Sequence, residues 1–222
     1  MRSALSCDGV RVRYGGIEVL HDVRLALAYG TFSALVGPNG AGKTTLLDWL
    51  AGASTETSSL AGDLCIDGTV ATHWPPGRRA QAGLRYVPFE RNVFLGLSVL
   101  DNLRATAGAA ATDSAFSCFP VLGRLAARPA GVLSGGERQL LAVACALWGR
   151  GRILLLDEPT HGLAPALVDR VLEELARTAR EDDRAVLIAD PQPEKAAEQL
   201  KTALALEPDG TDLKESIRAA MK

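Results

Sequence analysis

Between Leu5 and Leu27 apolar and polar residues alternate. Val10, Val12 and Tyr14 share one phase, and Val23, Leu25 and Leu27 share another. A period of two predicts half-buried antiparallel strands, and the Gly15-Gly16 pair between them predicts their turn. The pattern then changes. Phe32–Val36, Ile153–Leu156 and Ala185–Ala189 are short apolar runs, predicted as central parallel strands buried on both faces. Helical periods follow at Thr44–Leu50, Gln139–Trp148 and Leu167–Arg180. In the last of these, Leu167, Val168, Val171, Leu172 and Leu175 fall on one face. Strands alternating with helices predict an α/β fold with ligands at the carboxyl ends of the strands. Residues from Asn92 to Leu133 are read as a mostly helical insertion.

Composition narrows the class. A chain of 222 residues with a 47% hydrophobic fraction suits one large α/β domain, or a core with a small subdomain. Charged residues make up 23% with a net charge of −2, which leaves no electrostatic footprint for nucleic acid. Cys7, Cys65, Cys118 and Cys145 are scattered, and with His21, His73 and His161 they form no metal-ligand spacing. They are read as reduced core thiols. The first residues, MRSALSCDGVRVRYGG, lack the apolar core of a signal peptide. No run approaches the roughly 20 apolar residues of a membrane span. A membrane role is therefore expected to come through a partner.

The chemistry begins at Gly37-Pro38-Asn39-Gly40-Ala41-Gly42-Lys43-Thr44, a full GxxxxGK[ST] loop between an apolar strand and a helix. Glycines there let backbone N–H groups surround phosphate oxygens, and the helix points its positive end at the same place. Lys43 is placed to meet the β- and γ-phosphates, and the Thr44 hydroxyl to join a Mg²⁺ shell, with Thr45 adjacent. Asp157 ends the Ile153–Leu156 run, a position that suits a Mg²⁺-linked carboxylate. Glu158 follows, where a carboxylate orients or deprotonates an attacking water.

Leu133-Ser134-Gly135-Gly136-Glu137-Arg138-Gln139 resembles the signature of ABC ATPases, and it lies upstream of the Asp-Glu strand as in that family. The resemblance covers nearly the whole chain. It implies a P-loop NTPase (RecA-like) core with a mainly parallel sheet, an N-terminal antiparallel β subdomain and an inserted helical subdomain. Residues 1–222 form one domain, with 1–91 and 134–222 as core and 92–133 as insertion. By the same resemblance, ATP and Mg²⁺ are the cofactors and Tyr14 stacks on adenine. Gly37 through Thr45 hold the phosphates. Ser134, Gly135, Gly136 and Glu137 close over ATP bound by a second cassette, and Thr160–Pro165 forms the dimer-contacting loop. The chain would work at the cytoplasmic face of the cell membrane, with permease subunits, a second ATPase subunit and an extracytoplasmic solute-binding protein, and with no nucleic acid. The strings Tyr86-Val87-Pro88, Arg91-Asn92-Val93-Phe94, Phe119-Pro120-Val121-Leu122 and Gly162-Leu163-Ala164-Pro165 most resemble branched-chain amino acid and amide importers.

Some positions depart from the family. Where it carries glutamine or glutamate after Val-Pro, this chain has Phe89, with Glu90 next. Either Glu90 substitutes through a one-residue slip, or that polar contact is lost. The switch histidine position falls on Pro191, which offers neither a side-chain polar group nor an N–H. Gln192 stands beside it, and none of the histidines is expected to replace it. Cys145 stands where the signature helix usually carries arginine. These departures raise an alternative: a cassette with weak hydrolysis at its own site that completes an efficient site on a different partner cassette.

Overall fold

The computed structural model describes residues 2–54, 59–90 and 92–190. Pro191, Gln192 and the segment after Pro208 lie outside the described residues, as does Arg91. The chain opens with β1 (Ser3–Tyr14) and β2 (Ile17–Ala28), paired antiparallel up to Tyr14 opposite Ile17. Gly15 and Gly16 turn between them at φ 53° and 88°. Two positive φ values in succession match a type I′ hairpin turn, which glycine adopts without steric cost.

β3 (Phe32–Val36) leads through the Gly-rich loop into α1 (Lys43–Ala51), which stops at Gly52 in a left-handed conformation. The sequence pattern did not announce the next elements. These are β4 (Ser59–Ile66), β5 (Thr69–Val70), α2 (Pro76–Gln81) and β6 (Leu84–Val87). Three helices occupy the predicted helical region: α3 (Val99–Ala107), α4 (Ala109–Cys118) and α5 (Pro120–Arg124). α6 (Gly135–Leu147), β7 (Ile153–Asp157), α7 (Pro165–Glu181) and β8 (Ala185–Asp190) follow. One sheet is antiparallel in the order β2-β1-β4-β5; the other is parallel in the order β3-β8-β7-β6.

The parallel sheet divides two cores. Leu154 and Leu156 of β7, with Val186 and Ile188 of β8, pack among α3 to α7. Ile153, Leu155, Ala185, Leu187 and Ala189 face the other way, towards α1 and the antiparallel sheet. Every residue of β7 and β8 is buried, which is why neither strand shows alternation in sequence. β3 joins the parallel sheet as expected, in register with β8. It stands at the end of the sheet order among the described residues, hydrogen-bonded only to β8, and all five of its residues are half-buried. Its apolar run serves both cores, with Phe32 and Ala34 on one side and Leu35 on the other.

α6 begins four residues before the predicted start, and the cause is a capping box. Ser134 Oγ accepts from the Glu137 N–H at 3.2 Å, and Glu137 Oε2 accepts from the Ser134 N–H at 2.8 Å. The Ser-x-x-Glu spacing allows both bonds, and they offset the cost of placing two glycines in the first turn.

α2 secures the far end of α1. The Arg79 guanidinium is buried and donates to the carbonyls of Trp49 at 2.6 Å, Leu50 at 2.8 Å, Trp74 at 3.0 Å and Thr72 at 3.0 Å. A cation at a helix C-terminus also meets the negative end of the helix dipole. Burial holds its pKa below the usual guanidinium value. Arg79→Met is expected to lower unfolding stability by about 3 kcal/mol, because the carbonyls it serves lose their donor. Arg78→Met removes only a surface stack 4.3 Å over the Trp74 ring and is expected to cost under about 1 kcal/mol. Urea titration of both variants measures the difference.

Candidate functional site

The site gathers at the carboxyl ends of β3 and β7, where two short apolar strands hand over to polar loops. Gly40 at φ 84° and Gly42 at φ 88° bend the first loop. Gly42 also permits a close approach, since a Cβ there would lie 2.7 Å from Leu20 Cδ2 of β2. The Lys43 ammonium is buried and curls back over the loop, donating to the Gly37 carbonyl at 2.7 Å and the Pro38 carbonyl at 3.0 Å. Pro38, Asn39, Gly40 and Ala41 are exposed, and Thr45 is half-buried.

Thr44 and Asp157 bring the two strand ends together. Thr44 Oγ1 donates to Asp157 Oδ2 at 2.7 Å. Asp157 is 1% exposed, and its Oδ1 is buried without a hydrogen-bond partner. Burial pushes its pKa above the ordinary value; the Thr44 bond opposes the shift, and the charges of Glu158 and Asp48 add to it. A buried, unpartnered carboxylate oxygen beside a hydroxyl and an ammonium suits a hard cation that reaches it together with an anionic ligand. Among the described residues no cluster of three or more His, Cys, Asp or Glu could hold a metal ion. The donors fit Mg²⁺ completed by phosphate and water rather than a site made of protein alone.

Glu158 sits at φ 46°, a region that costs a non-glycine residue of order 1–3 kcal/mol. Its backbone is held on three sides. Its N–H donates to the Ala189 carbonyl at 3.0 Å, and its carbonyl accepts from His161 N–H at 3.1 Å and Gln139 Nε2 at 3.1 Å. Gln139 is itself buried and accepts from Asn92 Nδ2 at 2.8 Å. His161 Nδ1 lies 3.3 Å from Glu158 Oε2, and the Phe89 ring meets the imidazole edge-on at 5.0 Å.

The signature segment lies against the loop after Glu158. A Cβ on Gly136 would collide with the Gly162 carbonyl oxygen, so only glycine allows that approach. Ser134 and Gly135 are exposed. Ser134 accepts one hydrogen bond as a cap, and its hydroxyl hydrogen stays available to a ligand. Glu137 directs its carboxylate to the Ser134 N–H, which lowers its pKa. The Glu137 side chain thus shapes the segment from within. Tyr14 is half-buried at the hairpin end and packs on the core beneath α1. Glu90 is exposed. Cys145 is a half-buried member of the helical core, its pKa pushed up to about 11 by burial.

Residues 20–161, well over half of the chain, match the family described as ABC transporter. A probable branched-chain amino acid transport ATP-binding protein, LivF, of Archaeoglobus fulgidus is 34% identical over 83% of this chain and 80% of its own length. A high-affinity branched-chain amino acid transport ATP-binding protein, BraG, of Pseudomonas aeruginosa is 36% identical over 80% of this chain and 78% of its own. This chain belongs to the ABC transporter family. Solved structures agree on the fold. The dimeric, post-hydrolysis ATP-binding cassette MJ0796 bound to ADP and Pi aligns with TM-score 0.74 at 22% identity, covering 86% of this chain and 89% of that one. The ADP conformation of the cassette MJ1267 aligns with TM-score 0.69 at 21% identity, covering 90% and 85%. The fold is therefore the RecA-like P-loop NTPase fold, and family membership makes the chain an ATP-binding, ATP-hydrolysing subunit of a transporter. Among the described residues no helix is long and apolar enough to cross a membrane.

Residue types and spacing mark Lys43, Thr44, Asp157 and Glu158, and the family resemblance marks Ser134–Glu137. They do not mark Gln139, Asn92 or the His161–Phe89 contact. Gln139 carried one signal, a polar residue on the apolar face of its helix. The others are meetings of distant loops.

Because the folded-state pKa of Asp157 is raised, ionising it opposes folding. That cost is absent below the unfolded carboxylate value and grows as pH rises through the folded value. Asp157→Asn is expected to melt higher than the parent at neutral pH without nucleotide, with the gap closing as pH falls. At a hundredfold excess of Mg-ATP over Kd, the parent should gain about 2.7 kcal/mol and the variant little. Melting curves against pH, with and without Mg-ATP, read both effects.

Proposed function

We propose that this chain is one ATP-binding subunit of an importer of branched-chain amino acids or related amides. It would be held peripherally at the cytoplasmic face of the membrane by permease subunits. The observation that carries the nucleotide reading is the Thr44–Asp157 bond at 2.7 Å, with the second, buried carboxylate oxygen unpartnered and the Lys43 ammonium close by. Gly37 to Thr45 would cradle the phosphates, Lys43 would exchange its loop carbonyls for the β- and γ-phosphates, and Tyr14 would stack on adenine. Thr44 and Asp157 would hold Mg²⁺, which when bound offsets phosphate charge. Glu158 would orient the attacking water and accept its proton.

The assembly follows from the same parts. Ser134, Gly135 and Gly136 open α6 at the surface, where a hydroxyl, backbone N–H groups and a helix N-terminus face outward together. They would close over ATP held by a second cassette, and a ligand that bridges two subunits favours the closed dimer. Hydrolysis removes the bridge. The importer subgroup rests on the LivF and BraG likenesses, and a solute-binding protein outside the membrane would complete such a system.

The permease would contact the insertion, proposed as residues 92–133 between core segments 1–91 and 134–222. There Phe94, Leu95, Leu97 and Val132 are exposed and apolar. Asn102 ties the Phe94–Ser98 part of this loop to α3. Asn102, 1% exposed, bonds the Phe94 N–H at 2.8 Å and the carbonyls of Phe94 at 3.0 Å and Ser98 at 3.0 Å. The Asn92–Gln139–Glu158 hydrogen bonds link this region to the hydrolytic loop.

The test is phosphate release by the full chain co-purified with its partner subunits. Glu158→Gln is expected to lower turnover by about 10²–10³ while ATP binding persists. Lys43→Ala is expected to remove ATP binding. Turnover unchanged by Glu158→Gln, but abolished by the matching change in a partner cassette, would favour the weakly hydrolysing alternative.

A further inference from the structure

The carboxylate of Glu158 does not stand alone. The loop after β7 makes two consecutive turns, closed by His161 N–H to the Glu158 carbonyl at 3.1 Å and Leu163 N–H to the Thr160 carbonyl at 3.2 Å. These turns fold the imidazole back over the residue three positions earlier, leaving Nδ1 3.3 Å from Oε2. A carboxylate only accepts, so Nδ1 must carry the proton for this contact to be attractive, whatever the state of Nε2. The second support comes from a different loop. Phe89, in the segment after β6, sets its ring at 83° to the imidazole, an edge-to-face geometry favourable for aromatic pairs. Phe89 offers no polar group of its own. What it does in this structure is hold a histidine.

We propose that His161 is a positioning residue for Glu158: its Nδ1–H, braced by the Phe89 ring, sets the direction of the carboxylate that faces the water. This rests on the reading of Glu158 as the hydrolytic carboxylate. Three anchors hold the Glu158 backbone at a positive φ, yet they leave its side-chain torsions free; the imidazole constrains those torsions. A residue of this kind alters turnover and leaves nucleotide affinity alone, because it acts on the reacting water and not on the phosphates. The His161 side chain is 62% exposed, so its replacement leaves the packed core intact.

Two measurements test this. In the nucleotide-free chain, long-range ¹H–¹⁵N NMR of the imidazole should show the Nδ1–H form at His161. That form should be lost in Glu158→Ala and weakened in Phe89→Ala. With His21 and His73 as the other histidines, assignment by substitution is direct. In the co-purified complex, His161→Ala should lower kcat by about 10-fold to 10²-fold, with KM and the ATP Kd within about twofold of the parent. His161→Asn, whose Nδ2 replaces the Nδ1 donor, should restore most of the loss, and His161→Gln should not. Phe89→Ala should add little to His161→Ala, since both act through one contact. An unchanged or raised kcat in His161→Ala overturns the proposal, as does a tautomer indifferent to Glu158. If Glu158→Gln leaves turnover intact, the assignment of Glu158 fails and takes this with it. If Glu158→Gln abolishes turnover and His161→Ala does not affect it, only the role of His161 fails.

Discussion

The hydrogen bond from Thr44 to Asp157 joins residues 113 positions apart, and the arrangement of the site depends on it. It ties the first turn of α1 to the end of β7. β7 is fully buried and separates the helical core from the core under the antiparallel sheet. Each end of the bond is therefore set by packing. α1 is fixed by Leu46, Leu47 and Leu50 within its core, and by Arg79 across its last carbonyls. Strand and helix present their polar ends at one point because their apolar bodies are held on both sides.

That arrangement carries a cost without ligand. Asp157 keeps one carboxylate oxygen buried and unpartnered, Lys43 spends its donors on the carbonyls of its own loop, and Glu158 holds a strained backbone angle. Buried polar groups left short of partners destabilise a folded chain by about 1–3 kcal/mol each. Such features persist where the surrounding structure over-determines them, and here Ala189, Gln139 and His161 hold Glu158 in place. A ligand that supplies phosphate oxygens and a cation would answer the lysine and the aspartate together.

Gln139 links the loop after β7 to the rest of the molecule. It lies on the buried face of α6, just behind Ser134–Gly136, donates to Glu158 and accepts from Asn92. One buried amide therefore joins α6, the turn at Glu158 and the entry to the apolar loop at Phe94–Leu97. A shift of the helix strains both hydrogen bonds, and a shift of either partner segment strains one, in a low-dielectric interior where such bonds are strong and costly to leave unmade. The signature and the loop after Glu158 are also pressed together at Gly136 and Gly162, where a side chain on Gly136 would have no room.

Local chemistry was legible in the sequence wherever one short segment determines it. The glycines of residues 37–42 with Lys43 and Thr44 state a phosphate loop, and Gly15-Gly16 states a hairpin turn. Two apolar runs without a polar face state buried strands. The third, Phe32–Val36, states a strand in the same way, and among the described residues it pairs with β8 alone. The start of α6 is written in Ser134 and Glu137, a capping pair that lies ahead of the first apolar-periodic residues. Contacts between loops were not legible. Nothing in the spacing of Phe89, His161 and Glu158, or of Asn92 and Gln139, says that they meet. Motifs are contiguous because backbone geometry is local, and sequence alone determined them. Which distant side chains share a site depends on how β6, β7 and α6 pack, and only the tertiary structure decided that.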